Sequence, residues 1–409
     1  MTELKILHTA DWHLGKRLSE YSRIDEQREV MNEMVQIANA QSLDLVIVAG
    51  DLFDLFQPSH EAQELLYHTL YQLCDNGKRP VVAIAGNHDS HALIEAPMPL
   101  AKELGILLLG ANHSSQEKIV NASGIEISIP ENGIVKIHFP KKDEDVNIIV
   151  APYANEQLLK IYLGEENRED ELRKILSDRW QTIAEKYFSK SSFNLFVGHF
   201  FFMKQGNTPE VEPEGERSIL HVGGAQAIYS DDLPNTLHYA ALGHLHRFHY
   251  VDKTRFPVAY SGSPLQYSFS EAGQKKYCLL LRWEDQLHIE ELELNEGFDL
   301  HRVTFEDHGE AIQWLESNPN TYVELTYISD KVLDAQLRKA LLNAHPRIVH
   351  LIPKMKNVNQ DASKSIQADD LAENFETLFK KYFENEKGQE ASDELLKLLQ
   401  EVVSKGGGE

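Results

Sequence analysis

Five short apolar runs in this chain end on a side chain that can bind a metal ion. Leu4–Ala10 runs into Asp11, with His13 two residues on. Leu43–Gly50 ends at Asp51, and Pro80–Gly86 at Asn87-His88-Asp89. Phe193–Gly198 ends at His199, and Leu237–Gly243 at His244-Leu245-His246. In four of the five, glycine stands just before the polar residue. Each piece alone is weak, because Gly-Asp is usually turn chemistry and a lone histidine at a strand end is usually structural. Together they point to one shared site. Carboxylates, an amide and imidazoles form a mixed oxygen and nitrogen set, suited to manganese, iron or zinc more than to calcium. One aspartate, here Asp51, can bridge two ions ~3.5–4 Å apart. D-x-H and H-x-H place both side chains on one side of an extended chain, ~6.6 Å apart in a strand. Two ions would activate water and neutralise charge on a phosphate under attack. His88 is then left as general acid or transition-state stabiliser near the leaving oxygen.

Such a site needs parallel strands whose carboxyl ends meet, as in open α/β sheets. The chain supplies the pattern. Up to about residue 285, apolar strand-like runs alternate with helices. One helix carries Val30, Met31, Met34, Val35, Ile37 and Ala38 on a single face. Another is expected from Glu61 to Cys74, and a hairpin from Tyr277–Trp283 and Leu287–Leu294. The expected domains are a layered α/β domain carrying the metal site over 1–295, a small α/β cap over 296–357, a polar linker over 358–368 and a helical segment over 369–405. That last segment holds two amphipathic helices. Leu371, Phe375, Leu378 and Phe379 mark the first, and Leu395 and Leu399 the second. Such short apolar-faced helices rarely stand alone in water, so a partner groove or coiled coil is the expected surface for them.

The 409 residues are 42% hydrophobic, enough for sizeable cores. Cys74 and Cys278 sit in no C-x-x-C pattern and read as reduced core residues. No signal peptide and no apolar stretch of membrane length is visible, so a soluble, cytoplasmic protein is expected. The net charge of −24 argues against a general basic surface for nucleic acid. Any DNA contact would be local, metal-assisted or shared with a partner.

D-W-H (11–13), G-D-L-F-D (50–54), G-N-H-D (86–89), G-H-F (198–200) and G-H-L-H (243–246) together resemble the calcineurin-like metallophosphoesterase superfamily. A-D-W-H-L-G, A-G-N-H-D-S, A-L-G-H-L-H-R, S-G-S-P-L-Q-Y-S-F (261–269) and K-K-Y (275–277) are similar to the motifs of its SbcD-type nuclease subunits. The resemblance implies a four-layer α/β sandwich. It implies one metal on Asp11, His13, Asp51 and His246, and another on Asp51, Asn87, His199 and His244. It makes His88 catalytic and the ions two Mn2+, with Mg2+ a substitute. The implied activity is 3′ to 5′ double-strand exonuclease and hairpin or blocked-end endonuclease, in DNA repair, recombination and replication. An SbcC-type ABC ATPase is the implied partner, within a heterotetramer built on a homodimer. Archaeal relatives carry histidine where Asp54 stands, so Asp54 is expected to orient His88 instead, with Asp89 also supporting.

Phe200, Phe201 and Phe202 could stack on a base but read more simply as core. Thr208–Glu216 reads as a solvated loop, with a DNA-facing or partner-facing loop as the alternative. His8, His91 and His249 lie near the candidate ligands in sequence. Lys16, Arg17 and Arg247 are candidate phosphate contacts. Two other functions fit parts of the pattern. A small-substrate phosphomonoesterase or cyclic-nucleotide phosphodiesterase needs neither cap nor terminal helices. A non-catalytic scaffold needs no full ligand set.

Overall fold

The computed structural model describes residues 3–110, 115–121, 123–154, 168–208, 210–212, 228–330 and 333–356, with Phe379, Leu395 and Leu396. By internal contacts the chain divides into one unit of Met1–Arg302 with Asn320–Glu324, and a second of Val303–Pro319 with Leu325–Glu409. The division thus falls between Arg302 and Val303, later than the 295/296 boundary read from the sequence. Hydrogen bonds explain the shift. Phe298 N and Tyr322 Oη donate to Glu26, and Leu300 N donates to Gln266 Oε1, which ties these residues to the first unit.

The first unit is built on two sheets. One has the strand order Leu287–Leu294, Lys276–Trp283, Leu4–Thr9, Leu45–Val48, Val81–Ile84, Ile106–Leu109. Its last four strands are parallel, and Lys276–Trp283 joins Leu4–Thr9 antiparallel. In the other sheet, Glu144–Ala151, Phe193–His199, Tyr239–Gly243 and Val258–Tyr260 run parallel to one another.

Alternation along the strands explains the layering. Leu4, Ile6, Leu45, Ile47, Val82 and Ile84 meet Ile148, Val150, Leu195, Val197 and Ala241 in a core between the sheets. The intervening Leu7, Val46, Val48, Val81 and Ala83 face helices Ile24–Ala40 and His60–Leu73. Ile149, Phe196, Ala240 and Leu242 turn the other way, onto helix Arg168–Tyr187. The result is the four-layer α/β sandwich expected from the sequence. Parallel strands buried on both faces read as continuous apolar runs, which is why their ends were visible. The run from Ser115 to Ala151 adds four strands that were not anticipated. Part of it alternates apolar with polar residues, as at Glu126–Ile129.

In the second unit and its flanking strands, Asp299–Phe305, Thr321–Ser329 and Ile348–Met355 form a sheet in that order, with helices His308–Ser317 and Ala335–Ala344 between them in sequence. Asp307 and Asp334 cap the two helices through their side chains. Leu371, Phe375, Leu378 and Leu399 lie outside the described residues, while Phe379 and Leu395 are helical. No helix among the described residues is long and apolar enough to cross a membrane. Cys74 and Cys278 are buried and unbridged.

Candidate metal centre

The strand ends of both sheets meet at one buried cluster. Asp11 N donates to Gly50 O (3.0 Å) and His13 N to Asp51 O (2.9 Å), so the turns after the first two strands lie side by side. The second sheet is tied in by His244 N, which donates to Asp11 Oδ1 at 2.8 Å. His88 N donates to Asp51 Oδ1 at 2.9 Å. The backbone turns hard here. Asp11, His13, Asp51 and His244 all have positive φ (55°, 44°, 50° and 113°), a conformation that non-glycine residues avoid unless their surroundings impose it. Gly50 has φ +94°, and a Cβ there would run into the His199 ring. At Gly243 a Cβ would strike the Ala49 carbonyl. The glycines before the ligands therefore permit close approach between chain segments.

The candidate ligands fall into two groups around Asp51. On one side, His13 Nε2 lies 3.0 Å from His246 Nε2 and 3.5 Å from Asp51 Oδ2. On the other, His199 Nε2 lies 2.8 Å from Asn87 Oδ1 and 3.2 Å from Asp51 Oδ2. Asp11, His13, Asp51, His199 and His244 are fully buried, and Asn87 and His246 nearly so. His199 Nδ1 donates to Ala49 O at 2.9 Å, so Nε2 is the nitrogen turned to Asp51. Asp11 Oδ1 also approaches His199, 3.8 Å from the Nδ1 that donates to Ala49 O.

The cluster has the chemistry of a cation site. His13–Asp51–His88 and Asp11–Asp51–His199 each bring three donor atoms close enough to hold one ion. Asp11 Oδ2 is buried and accepts no hydrogen bond among the described residues. Two imidazole nitrogens 3.0 Å apart need a proton or a cation between them. Charge argues the same way. Burial pushes Asp11 up to about 7. Burial alone would lower His199, yet Asp51 and Asp11 outweigh it and hold its imidazolium up at about 9. Positive charge is thus favoured beside buried carboxylates, and divalent ions would supply it.

Comparisons with known proteins give the family. Residues 4–248 match the calcineurin-like phosphoesterase family. The SbcD component of the SbcCD nuclease from Bacillus subtilis is 32% identical over 98% of this chain and 98% of that protein. Its counterpart from Rhodobacter capsulatus is 31% identical over 68% of this chain and 66% of its own length. A dimetal phosphatase structure from Danio rerio covers 72% of this chain and 97% of its own, at 11% identity and TM-score 0.39. The chain belongs to the calcineurin-like phosphoesterases, in their SbcD branch. Membership makes it a metal-dependent hydrolase.

The supporting residues differ in detail from expectation. Asp54 does hold His88, but through its main chain: His88 Nδ1 donates to Asp54 O at 2.8 Å. The Asp54 carboxylate instead takes Lys16 Nζ at 2.8 Å and stands 3.7 Å from His13 Nδ1. Lys16 is thereby engaged within the site. Asp89 accepts from Leu52 N, Phe53 N and Gly86 N (2.9–3.0 Å), clamping the two turns on either side of Asp51. Phe200, Phe201 and Phe202 are core: the first and third pack on Trp180, and Phe201 sets its ring edge-on to His244. His8 bridges the sheets through Tyr239 Oη and Leu242 O. His249 Nδ1 bonds Arg247 O and its ring stacks on Tyr260.

Sequence reasoning missed four supports. Gln27 donates to His13 O (2.8 Å) and accepts from Gly15 N (2.9 Å), and Tyr267 Oη donates to Trp12 O. Glu212 Oε1 meets His244 Nε2 at 2.9 Å. Glu271 Oε1 meets His246 Nδ1 at 3.2 Å. The signal available was slight: Glu271 and Lys276, five positions apart, are charged residues in the motif-bearing stretch 261–277, and both are buried in the fold.

Proposed function

We propose that this chain is the nuclease subunit of a DNA-processing complex that hydrolyses phosphodiesters with two Mn2+ ions, Mg2+ substituting, and works with an SbcC-type ABC ATPase. The observation that carries the reading is the pair of ligand groups sharing Asp51, on a chain similar along nearly its whole length to the SbcD component of a nuclease. Asp11, His13, Asp51 and His246 would hold one ion, and Asp51, Asn87, His199 and His244 the other. Bound there, the ions would supply Lewis acidity and an activated water.

The chain's own residues do the rest. Asp51 sets the spacing of the two groups. Asp89 fixes the turns that carry Asp51 and Asn87. His88, with Nδ1–H given to Asp54 O, keeps Nε2 for the leaving oxygen as proton donor or charge stabiliser. The 3′ to 5′ exonuclease and hairpin endonuclease activities, and roles in repair, recombination and replication, belong to this reading, as do a cytoplasmic setting and a dimer within a heterotetramer. So does docking of the 369–405 segment to the ATPase coiled coil, through Leu371, Phe375, Leu378, Phe379, Leu395 and Leu399.

The test is a nuclease assay on a hairpin duplex with Mn2+, with and without the ATPase and ATP, beside a nitrophenyl phosphomonoester. Hairpin cleavage stimulated by the ATPase is expected. Efficient monoester turnover with intact DNA would overturn the reading in favour of a small-substrate enzyme.

A further inference from the structure

Glu271 and Lys276 are both almost fully buried, at 3% and 6% exposure. They pair at 2.5 Å through Glu271 Oε2 and Lys276 Nζ. Replacing such a pair by apolar residues of similar volume is often neutral or stabilising, so stability alone gives little reason for it. Its other contacts give one. Glu271 Oε1 accepts from Tyr267 N (3.2 Å) and faces His246 Nδ1 at 3.2 Å. Lys276 Nζ donates to His246 O at 2.9 Å and to Ser263 Oγ at 3.0 Å. Ser263 N also donates to His246 O, at 3.1 Å. One ion pair thus grips a single histidine twice, its ring through the carboxylate and its main chain through the ammonium.

A carboxylate on Nδ1 requires that nitrogen to carry the proton. The lone pair is then on Nε2, the atom that lies 3.0 Å from His13 Nε2. A carboxylate behind a metal-binding imidazole fixes its orientation and strengthens it as a donor. Among the described residues His246 also differs from His244, which meets Glu212 through its opposite nitrogen.

We propose that Glu271, locked by Lys276, is a positioning residue that fixes the Nδ1–H tautomer of His246 and presents Nε2 to the ion shared with His13. This rests on the two-metal reading above. It goes beyond it in assigning the buried Glu271–Lys276 pair of the 261–277 stretch a part in metal binding.

The test is Mn2+ binding to the full-length, metal-stripped chain by titration calorimetry, with circular dichroism and melting of the metal-free forms. Glu271→Gln leaves Lys276 buried without its carboxylate and can fail to fold. The double variant E271M/K276M removes both charges at similar volume and keeps the test open. A folded double variant whose affinity for one of two Mn2+ ions falls roughly 10- to 100-fold is the expected result. A second readout is the 15N shift of the His246 ring in zinc-loaded protein: Nε2 ligated and Nδ1–H in the wild type, with that pattern lost in the variant. Two Mn2+ ions bound at wild-type affinity by the double variant would overturn the proposal. So would a lowered melting temperature with unchanged affinity, which would make the pair a brace and nothing more. Wild-type protein that takes up no Mn2+ would sink the two-metal reading and this proposal with it.

Discussion

At the residue scale the site separates groups that would hold ions from the group that would move a proton. Asp51 touches both ligand groups, so Asp51→Asn removes the shared charge from both. It should abolish hydrolysis and reduce metal content measured by mass spectrometry; unchanged hydrolysis would end the bridging model. His88 is different. Its Nδ1 is fixed by a main-chain carbonyl, and its backbone N–H, which supports Asp51, survives substitution. His88→Asn should therefore keep its metals while turnover falls about 10²- to 10⁴-fold, the usual contribution of a proton-transfer group. Full turnover with metals bound would remove His88 from the mechanism. The Asp54 contact shows what a side-chain reading misses. A carbonyl oxygen is present at every position, so no residue type could have announced that Asp54 O holds His88.

At the scale of elements, the two sheets must stay in register for strand ends to meet. Gly243 tests this, because a Cβ there would strike Ala49 O across the sheet interface. Gly243→Ala should cost about 1–3 kcal/mol, as overpacking does, and should lower metal affinity by parting His244 from Asp11; urea unfolding and metal titration would read both. His8 tests the same interface through pH. Burial depresses its imidazole from 6.5 to about 3, against the raising effect of its bond to Leu242 O. The unfolded chain takes up that proton first, so the His8 contribution is complete above about pH 6.5 and is lost as pH falls toward 3. Between pH 7.5 and 5, the urea midpoint of wild type should drop more than that of His8→Gln; equal drops would show that His8 is not the sensor. The strand ends were legible because a fully buried parallel strand leaves a solid apolar run, and the first polar residue after it stands out. The Glu271–Lys276 support was not, since its target lies 25 to 30 positions away and only the fold brings them together.

At the scale of the whole molecule, charge decides how DNA could be held. The chain carries 64 acidic and 40 basic residues, a net −24, so its mean field repels a polyanion. Of the three basic candidates beside the site, Lys16 is committed to Asp54. Local attraction would then come from bound divalent ions and from whatever basic surface an ATPase partner or second copy adds. Isolated monomer should bind a DNA hairpin weakly, with affinity falling steeply between roughly 50 and 200 mM salt, and should gain affinity when the ATPase is added. Fluorescence anisotropy on labelled hairpin checks this, and submicromolar, salt-insensitive binding by the monomer would contradict it. Truncation after Asn357 separates the two contributions. The ligand groups all lie in the first unit, which ends well before that point, so the shortened chain should still hydrolyse simple phosphodiesters with Mn2+. It should no longer co-purify with the ATPase, and its DNA binding should no longer respond to it. Undiminished co-purification would place the partner surface elsewhere on the chain, while leaving the metal site untouched.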